Sequence, residues 1–373
     1  MTMRGTAIPS DVSVGRDNSE ARILTRLEGL ARTWDSIGTS MKSPMQHFIW
    51  SRACAETFRS EPQFVVVGSE EQPKALAPLI KRKRMFSRLE MIGDRELYEP
   101  MDFLYSDHAS LDVLARNLVE QRISILLRRV PADSPAIAAI QSAFRRRGVV
   151  YTVPADPYPY IELNPDWVEP ERRFNSGRRS DFRRAQRHAR QFGKVRYEIL
   201  SPGPEQVRPL LEEAYQTEMA SWKGIRGTAL AVDGLRGPFY THYALAASER
   251  GLLRLVFLRI NEEVAGMQIA IECDDRFWLL KIAYDEKFAT CSPGTLLMLH
   301  SVKHAAVRGL KSYEFLGTAE RWTRPWTESL RRCVALRAYP LSIGGIAVMT
   351  CVAGADLIVS IRRSLSEWRA LRP

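Results

Sequence analysis

The clearest hydrophobic pattern of the chain lies between residues 276 and 317, where two apolar stretches flank a segment with helical spacing. Phe277 to Tyr284 is apolar and aromatic, which predicts a buried strand, and Tyr313 to Leu316 predicts a shorter one. Leu296 to Val307 supplies the apolar positions of one helix between them. This order predicts a βαβ unit of the kind that binds ligands at its strand ends.

Residues typical of helix ends mark the limits of this helix. Ser292 predicts an N-cap, Pro293 suits the first helical position, and Gly309 lies where the helix ends. Because unpaired N–H groups at a helix N-terminus favour anions, we predict that the segment Ser292-Pro293-Gly294-Thr295 binds a phosphate of a cofactor. The alternative interpretation of this segment is an ordinary capped helix.

Two β-hairpins are predicted about 190 residues apart, and each precedes a longer βα segment. The first joins Phe64 to Val67 with Ala75 to Ile80, and the second joins Leu252 to Ile260 with Val264 to Ile271. The repeat indicates an old internal duplication, although hairpins are common and one pair is weak evidence. The predicted fold class is α/β with layered α and β elements, in which each of two tandem domains has a mixed central sheet flanked by helices.

Four prolines between residues 154 and 165 predict a connector. A chain of 373 residues is long enough for two domains. The predicted organisation is a flexible N-terminal tail (1–20), a first domain (21–160), a second domain (161–340) and a C-terminal helical segment (341–373).

Composition narrows the class of protein. Hydrophobic residues make up 45% of the chain and charged residues 26%, which is typical of a soluble globular protein. The five cysteines are scattered without a CxxC pair, which disfavours a disulfide framework or a zinc site, so no metal is predicted. His300 and His304 share a helix face but lack a further ligand. The chain shows no signal peptide, and Asp356 interrupts its last apolar stretch, so we predict a cytoplasmic protein without a membrane span.

The formal net charge of +11 is concentrated in one segment. Residues 172–196 contain ten Lys or Arg residues against one acid, Asp181. Phe182 and Ala185 lie among these arginines at a spacing that predicts an exposed helix with a narrow apolar stripe. Such a helix either contacts the phosphates of a nucleic acid or is a solvated basic surface.

The second half of the chain contains five distinctive segments in a fixed order. They are FNSGRRSDFRRAQRHAR, EMASWKGIRGTAL, RLVFLRINEEVAGMQIAIE, KIAYDEKF followed by SPGTLL, and YEFLGTAERWTRPW. Together they resemble the CelD-type acyltransferases of the GNAT superfamily, which are linked to polysaccharide synthesis, over Phe174 to Trp326. The resemblance implies two fused GNAT-like domains, the first one degenerate, and acetyl-coenzyme A or another acyl-coenzyme A as co-substrate.

Two motifs depart from the pattern of these acyltransferases. The usual pyrophosphate loop has the form Q/R-x-x-G-x-G/A, whereas this chain has Ser292-Pro293-Gly294-Thr295 at the matching place. The usual Asp-Phe-Leu-Gly-Gly motif is here Glu314-Phe315-Leu316-Gly317-Thr318, so the acid is kept and its side chain is one methylene longer.

Acyl transfer needs a base that deprotonates the acceptor and hydrogen-bond donors for the tetrahedral oxyanion. The catalytic candidates are Lys281, Asp285, Glu314, Glu218 and Glu320, and the candidate substrate-binding residues are Trp222, Lys223, Tyr284 and Trp326. Lys281 alternates within a buried strand, so it either faces solvent at an edge or points into a polar pocket with Asp285 or Glu314 as its partner. Asp285 has the alternative role of capping a turn, and each tryptophan that of a core residue.

Three functions follow. The first is acyl-coenzyme A-dependent N- or O-acyl transfer, of the acetyltransferase type, to a small or saccharide-linked acceptor of the cell envelope or of an exopolysaccharide, as the resemblance implies. The second keeps the fold but takes the acyl group from aminoacyl-tRNA, as in the tandem GNAT-like peptidoglycan-bridge enzymes, with the basic segment 172–196 on the tRNA. The third is a non-catalytic module that binds an acidic partner through this segment.

Overall fold

The computed structural model describes residues 21–37, 43–58, 61–83 and 86–354. The expected N-terminal tail (1–20) and the end of the expected C-terminal segment (355–373) lie outside the described residues. Residues 343–354 are helical. Within the described ranges, every helix is too short or too polar to cross a membrane.

The strands are β1 (Ala21–Leu24), β2 (Glu61–Gly68), β3 (Pro73–Arg82), β4 (Arg88–Met91), β5 (Leu104–Tyr105), β6 (Ser124–Pro131), β7 (Gly148–Glu162), β8 (Val195–Leu200), β9 (Leu253–Ile260), β10 (Glu263–Cys273), β11 (Arg276–Tyr284), β12 (Ser312–Glu314) and β13 (Leu330–Pro340). The helices are α1 (Phe48–Thr57), α2 (Asp94–Leu97), α3 (His108–Glu120), α4 (Pro135–Phe144), α5 (Ser176–Phe192), α6 (Pro204–Met219), α7 (Trp222–Ile225), α8 (Arg236–Glu249) and α9 (Pro293–Val307).

The elements predicted from hydrophobic pattern are present. Both hairpins are confirmed, because β2 pairs with β3 and β9 pairs with β10, each antiparallel. The βαβ unit is confirmed as β11, α9 and β12, whose two strands pair in parallel. The central residues of β11 are buried because the sheet is covered on both faces, which explains why this strand shows no alternation of polar and apolar positions.

The thirteen strands among the described residues form one mixed sheet. The order is β1-β2-β3-β4-β6-β13-β7-β12-β11-β10-β9-β8, and β5 pairs with β3 at the side. From each edge of the sheet inward, the first four strands pair antiparallel, and the fourth pairs in parallel with the fifth. This pattern holds for β1-β2-β3-β4-β6 and for β8-β9-β10-β11-β12. The predicted mixed α/β fold with two similar halves is therefore confirmed.

The two halves exchange one strand each at the middle of the sheet. We call residues 21–147 the N-terminal half and residues 163–329 the C-terminal half. β7 follows the N-terminal half but pairs with β12, while β13 follows the C-terminal half but pairs with β6. β7 and β13 also pair with each other over most of their length. The halves therefore share one continuous sheet, and a cavity at their junction can take residues from both.

The interpretation of residues 154–165 as a connector is wrong, because most of this segment belongs to β7. Proline lacks an N–H group but keeps its carbonyl, and the carbonyl of Pro159 accepts a hydrogen bond from the N–H of Phe315 (3.0 Å). Pro157 lies where the register between β7 and β13 shifts, so no regular ladder bond is lost there. Neighbouring strands on both sides thus override the proline signal.

The basic segment forms α5, whose narrow apolar stripe is confirmed. Phe182, Ala185 and Ala189 are buried against a core shared with α9. Trp326 stacks on Phe182, with 6.4 Å between the ring centroids. The arginines of α5 lie on the outer surface, beside the N-terminal end of α9.

Candidate active site

A cleft opens where the parallel strands β11 and β12 separate. They pair only from Arg276 to Trp278 on β11, opposite the three residues of β12. The chain then leaves β12 through Leu316 and Gly317, both with positive φ (53° and 54°), and turns away from β11. The remaining part of β11 faces a cavity of about 590 Å³, which we call the β11–β12 cleft.

The N-terminal end of α9 lies at this cleft, as the sequence predicts. Gly294 and Thr295 line it together with Ser292, whereas Pro293 is buried and packs under Gly266. A Cβ atom on Gly294 would make only ordinary contacts, the nearest being 3.8 Å to Tyr284. The first N–H groups of α9 therefore have open space in front of them.

The predicted N-cap of α9 needs a correction. Ser292 occupies the N-cap position, but its side chain accepts no hydrogen bond from the helix. Its backbone is left-handed (φ 49°, ψ 59°), which points the hydroxyl away from the first turn. The carbonyl of Ser292 accepts the N–H of Thr295 at 3.0 Å. The position is thus strained instead of capped, and its side chain is left in the cleft wall.

Lys281 points into the cleft, which is the polar-pocket alternative of the sequence analysis. Its Nζ lies 4.9 Å from the ring centroid of Tyr240. Burial lowers the pKa of Lys281, the nearby charge of Lys223 lowers it further, and the carboxylates of Glu99 and Glu218 act in the opposite direction. β11 has a bulge at Leu280, and this extra residue puts Lys281 on the same face as Tyr240.

The predicted partners of Lys281 are elsewhere. Asp285 begins the turn after β11, where its side chain accepts the N–H of Lys287 (2.8 Å), so it has the capping role. Glu314 is fully buried and pairs with Arg331 (2.8 Å) in a different cavity. Both assignments as partner of Lys281 are wrong, because other groups hold the two carboxylates.

The buried Glu218 pairs with the partly exposed Lys223 at the wall of the cleft. Lys223 Nζ donates to Glu218 Oε1 (2.7 Å) and to the carbonyl of Ile282 (3.1 Å). Glu218 Oε2 accepts the N–H of Leu230 (2.8 Å). Both oxygens of Glu218 are therefore hydrogen-bonded, and the pair fixes α6 and α7 against the open edge of β11.

Aromatic side chains form the mouth of the cleft. Trp222 and Trp322 are 47% and 39% exposed, which is unusual for tryptophan. Tyr284 lines the cleft beside them, and Glu320 accepts the indole N–H of Trp322 (3.1 Å). Trp326 also lines the cleft but is almost fully buried, so it is mainly a core residue.

Glu99 is a cleft residue that the sequence did not indicate. It comes from the N-terminal half, in the loop between β4 and β5, and is 7% exposed. Its Oε2 lies 3.9 Å from Nη1 of Arg129 and has no hydrogen-bond partner among the described residues. Burial raises the pKa of Glu99, against the nearby charges of Arg129 and Lys281. No local motif marks an isolated Glu in a loop, so only the fold reveals it.

Comparison with known families identifies the second half of the chain. Residues 176–324 match the family model described as acetyltransferase (GNAT) domain. We call this segment the GNAT domain. The match indicates that the protein is an acyltransferase, and it covers nearly the same residues that carry the predicted resemblance to the GNAT superfamily. The narrower CelD-type assignment stays a prediction. No curated protein sequence matches the chain.

Three solved structures share the fold of the whole chain. One is the C-terminal domain (DUF2156) assigned to a lysylphosphatidylglycerol synthetase from Agrobacterium fabrum, with TM-score 0.55, 11% identity, and coverage of 88% of this chain and 97% of that one. FemX has TM-score 0.55, 12% identity, and coverage of 86% and 97%. A conserved protein of unknown function from Bacteroides thetaiotaomicron has TM-score 0.55, 12% identity, and coverage of 86% and 99%. These likenesses concern the fold, and they extend beyond the GNAT domain.

A small basic groove adjoins the GNAT cleft at Ser292 and Thr295. Arg178, Arg184 and His188 of α5 line it, and its volume is about 190 Å³. Arg184 is paired with Asp181 (2.8 Å). The positive charge of α5 is thus brought to the N-terminal end of α9, where the helix dipole also favours anions.

A second cavity of about 510 Å³ lies along the N-terminal part of β11. Arg276 and Trp278 line it, so Trp278, which sequence alone groups with the other tryptophans, is not part of the GNAT cleft. Arg331 also lines it, with its guanidinium 3.7 Å from the ring centroid of Tyr160. The pair of Glu314 with Arg331 stabilises the junction of β12 and β13.

One group of side chains has the spacing of metal ligands. The ligand atoms of His47, Cys273 and Asp274 lie within 4.8 Å of one another. His47 Nε2 lies 3.1 Å from Asp274 Oδ2, and this hydrogen bond lowers the pKa of Asp274. Burial raises the pKa of the Cys273 thiol, and the charge of Arg276 is close to both groups. A buried neutral thiol beside an arginine is a poor cation site, so we interpret the group as a hydrogen-bonded contact that ties α1 to the β10–β11 turn.

Proposed function

We propose that the protein transfers an acyl group from an acyl-coenzyme A to an amine or hydroxyl of a saccharide-linked acceptor of the cell envelope or of an exopolysaccharide. The observation that carries this proposal is the cleft itself. An unpaired strand edge, the N-terminal end of a helix and the half-buried Lys281 meet in one cavity of the GNAT domain. The strand edge suits the amides of the pantetheine arm, the helix N-terminus suits the diphosphate, and the lysine suits the thioester carbonyl.

The donor fits along β11. Beyond Trp278, the backbone groups on the open side of β11 are not paired with β12, so the amides of a pantetheine arm can add to this edge as a further strand. The diphosphate then reaches the start of α9 at Gly294. Arg178 and Arg184 in the adjoining groove supply charge for a third phosphate.

Lys281 is placed for the chemical step. A tetrahedral intermediate on the thioester carbonyl carries negative charge, and a buried amine donor stabilises it better than water does. The exposed faces of Trp222 and Trp322 at the mouth suit the apolar face of a sugar ring. We place the reaction in the cytoplasm, where acyl-coenzyme A is available.

Titration calorimetry with acetyl-coenzyme A tests the donor. We expect saturable heat at millimolar ligand or below and an increase in Tm, and free coenzyme A should give a similar but weaker response. No heat and no change in Tm with acetyl-coenzyme A would contradict the proposed donor.

Aminoacyl-tRNA is the second candidate donor, and the observation that favours it is the position of α5. Ten basic residues in segment 172–196 lead to the cleft mouth through Arg178 and Arg184. If tRNA is the donor, its affinity should fall steeply as salt increases, and acetyl-coenzyme A should not compete. Strong competition by acetyl-coenzyme A would exclude this alternative.

A further inference from the structure

The N-terminal half contains its own version of the strand separation seen in the GNAT domain. β4 and β6 pair in parallel only at Arg88 with Ser124 and at Leu89 with Ile125. The loop from Ile92 to Phe103, including α2, fills the space beyond this pairing. Asp94 Oδ2 accepts the N–H of Arg128 on β6 (3.0 Å) and so bridges the two sides. We call this loop the plug.

The plug also reaches the GNAT cleft. Arg129 is 2% exposed and donates to the carbonyls of Tyr98 in the plug (2.8 Å), of Asp156 on β7 (3.0 Å) and of Gly317 after β12. It thereby fixes the plug to the loop that forms one wall of the cleft. The next residue of the plug, Glu99, lies on the cleft floor near Lys281.

The hydrogen bonds of Glu99 differ from those of a structural carboxylate. Both oxygens of Glu218, in the same cleft, have close partners. Glu99 Oε2 has none among the described residues, and the guanidinium of Arg129, 3.9 Å away, is already engaged with three carbonyls. Buried carboxylate oxygens are normally satisfied, so an unpartnered one beside a cavity indicates a partner that arrives with the substrate.

We propose that Glu99 is the general base of the acyl transfer, supplied to the GNAT domain by the N-terminal half. The acceptor amine or hydroxyl attacks the thioester carbonyl and gives its proton to Glu99 Oε2. The C–S bond then breaks, and Glu99 returns the proton to the departing thiolate, so that an amide or ester and a free thiol are formed. This role rests on the proposed function.

The surroundings of Glu99 make it a stronger base than an exposed glutamate. Burial raises its pKa, while Arg129 from β6 and Lys281 from β11 keep the ionised form accessible. The Tyr240 hydroxyl from α8 faces the same region, and its pKa is raised by burial and by Glu99. Glu218 and Lys223 neutralise each other nearby. Below its pKa the carboxyl is neutral and cannot accept a proton, so turnover should fall in acid.

Thioester turnover in two substitutions of Glu99 tests this role. With acetyl-coenzyme A as donor and glucosamine or water as acceptor, we expect Glu99→Gln to lower turnover at least about 100-fold, to abolish the acidic limb of the pH profile and to leave the acetyl-coenzyme A Kd unchanged. Glu99→Asp should restore part of the activity. Glu96→Gln is the matched control and should retain turnover, because Glu96 in the same plug also has an unpartnered buried Oε2 but pairs with Arg82 and does not line the cleft. Wild-type turnover and pH profile in Glu99→Gln would overturn the proposal.

A second readout does not depend on donor or acceptor. The infrared difference spectrum between wild type and Glu99→Gln should contain a protonated carboxyl band that persists above the ordinary acidic range of glutamate and disappears only at higher pH. A band that titrates in the ordinary acidic range of glutamate would overturn the base. If wild type binds no acetyl-coenzyme A, the proposed donor is wrong, and this titration still decides the role of Glu99.

Discussion

The two strand separations of this protein start from the same topology and end differently. In the C-terminal half, β11 and β12 part after a short parallel pairing and leave a cleft. In the N-terminal half, β4 and β6 part in the same way, and the plug fills the space. The difference lies in the loops that follow the strands, whereas the strand pairing is alike.

This difference shows how one of two similar halves can lack a cleft of its own and still contribute to the other one. The plug closes its own separation with a buried aspartate, and Arg129 fixes it to the loop after β12. The same plug brings Glu99 to the floor of the GNAT cleft. The N-terminal half is therefore a structural part of the candidate site.

The largest expected effect concerns the filling of the N-terminal separation. Burial raises the pKa of Asp94 to about 7 from 3.8, so the folded state binds this proton more tightly than the unfolded state and the free energy of unfolding falls as pH rises from about 4 to about 7. Asp94→Asn removes this cost and should raise the free energy of unfolding by up to about 4 kcal/mol near pH 8, with little change near pH 4. Urea denaturation at both pH values measures it.

Asp107 supplies the control for this experiment. It caps α3, where it accepts the N–H of Ser110 (2.7 Å), and this bond lowers its pKa. Asp107→Asn should therefore not stabilise the protein near pH 8. An Asp94→Asn variant that is no more stable than wild type at either pH would show that the plug does not hold a strained carboxylate.

The next effect concerns the chemistry of the open cleft. Lys281→Met should lower turnover about 100-fold or more, which corresponds to about 3 kcal/mol, because the oxyanion loses its buried donor. Folding should not be weakened near neutral pH, because the pKa of Lys281 is lowered by burial and the folded state therefore binds this proton less tightly than the unfolded state. Lys287→Met, at an exposed ion pair with Glu263 outside the cleft, should retain turnover. Full activity in Lys281→Met would show that Lys281 takes no part in the reaction.

A matched pair of helix positions tests where the donor phosphate binds. Gly294 and Ala109 are the second residues of α9 and α3, which occupy equivalent places in the two halves. Gly294→Val should weaken acetyl-coenzyme A binding at least about tenfold, or about 1.4 kcal/mol, by blocking approach to the backbone. Ala109→Val should leave the Kd unchanged. Normal donor binding by Gly294→Val in calorimetry would show that the donor phosphate binds elsewhere.

The smallest expected effect concerns the strained residue before α9. Ser292→Gly should raise the free energy of unfolding by about 1 kcal/mol, because glycine adopts a left-handed backbone without a Cβ clash. Ser292→Ala should change stability little, since no cap bond is lost, whereas Ser134→Ala should cost about 1 kcal/mol because Ser134 caps α4. Equal losses in the two alanine variants, measured by thermal melting, would contradict this assignment.

Local patterns in the sequence were sufficient for much of the fold. β11 and α9 follow from runs of apolar residues and from Pro293, because burial and a fixed φ act within one segment. The same patterns placed Lys281 and Gly294 near one another, since strand ends and helix starts meet in any βαβ unit. The prolines of β7 led to the wrong prediction of a connector, because pairing with strands distant in sequence outweighs a local preference.

The sequence by itself therefore determined the βαβ unit, the repeated hairpins and the cationic helix α5, all of which depend on spacing within short segments. Only the tertiary structure decided which charged groups meet. Glu314 joins Arg331, Asp285 caps a turn and Glu99 enters the cleft, because strand exchange and the positive φ at Leu316 fix the approach of segments far apart in the chain. Electrostatic partners depend on a few ångströms of separation, and hydrophobic pattern does not encode that distance between elements.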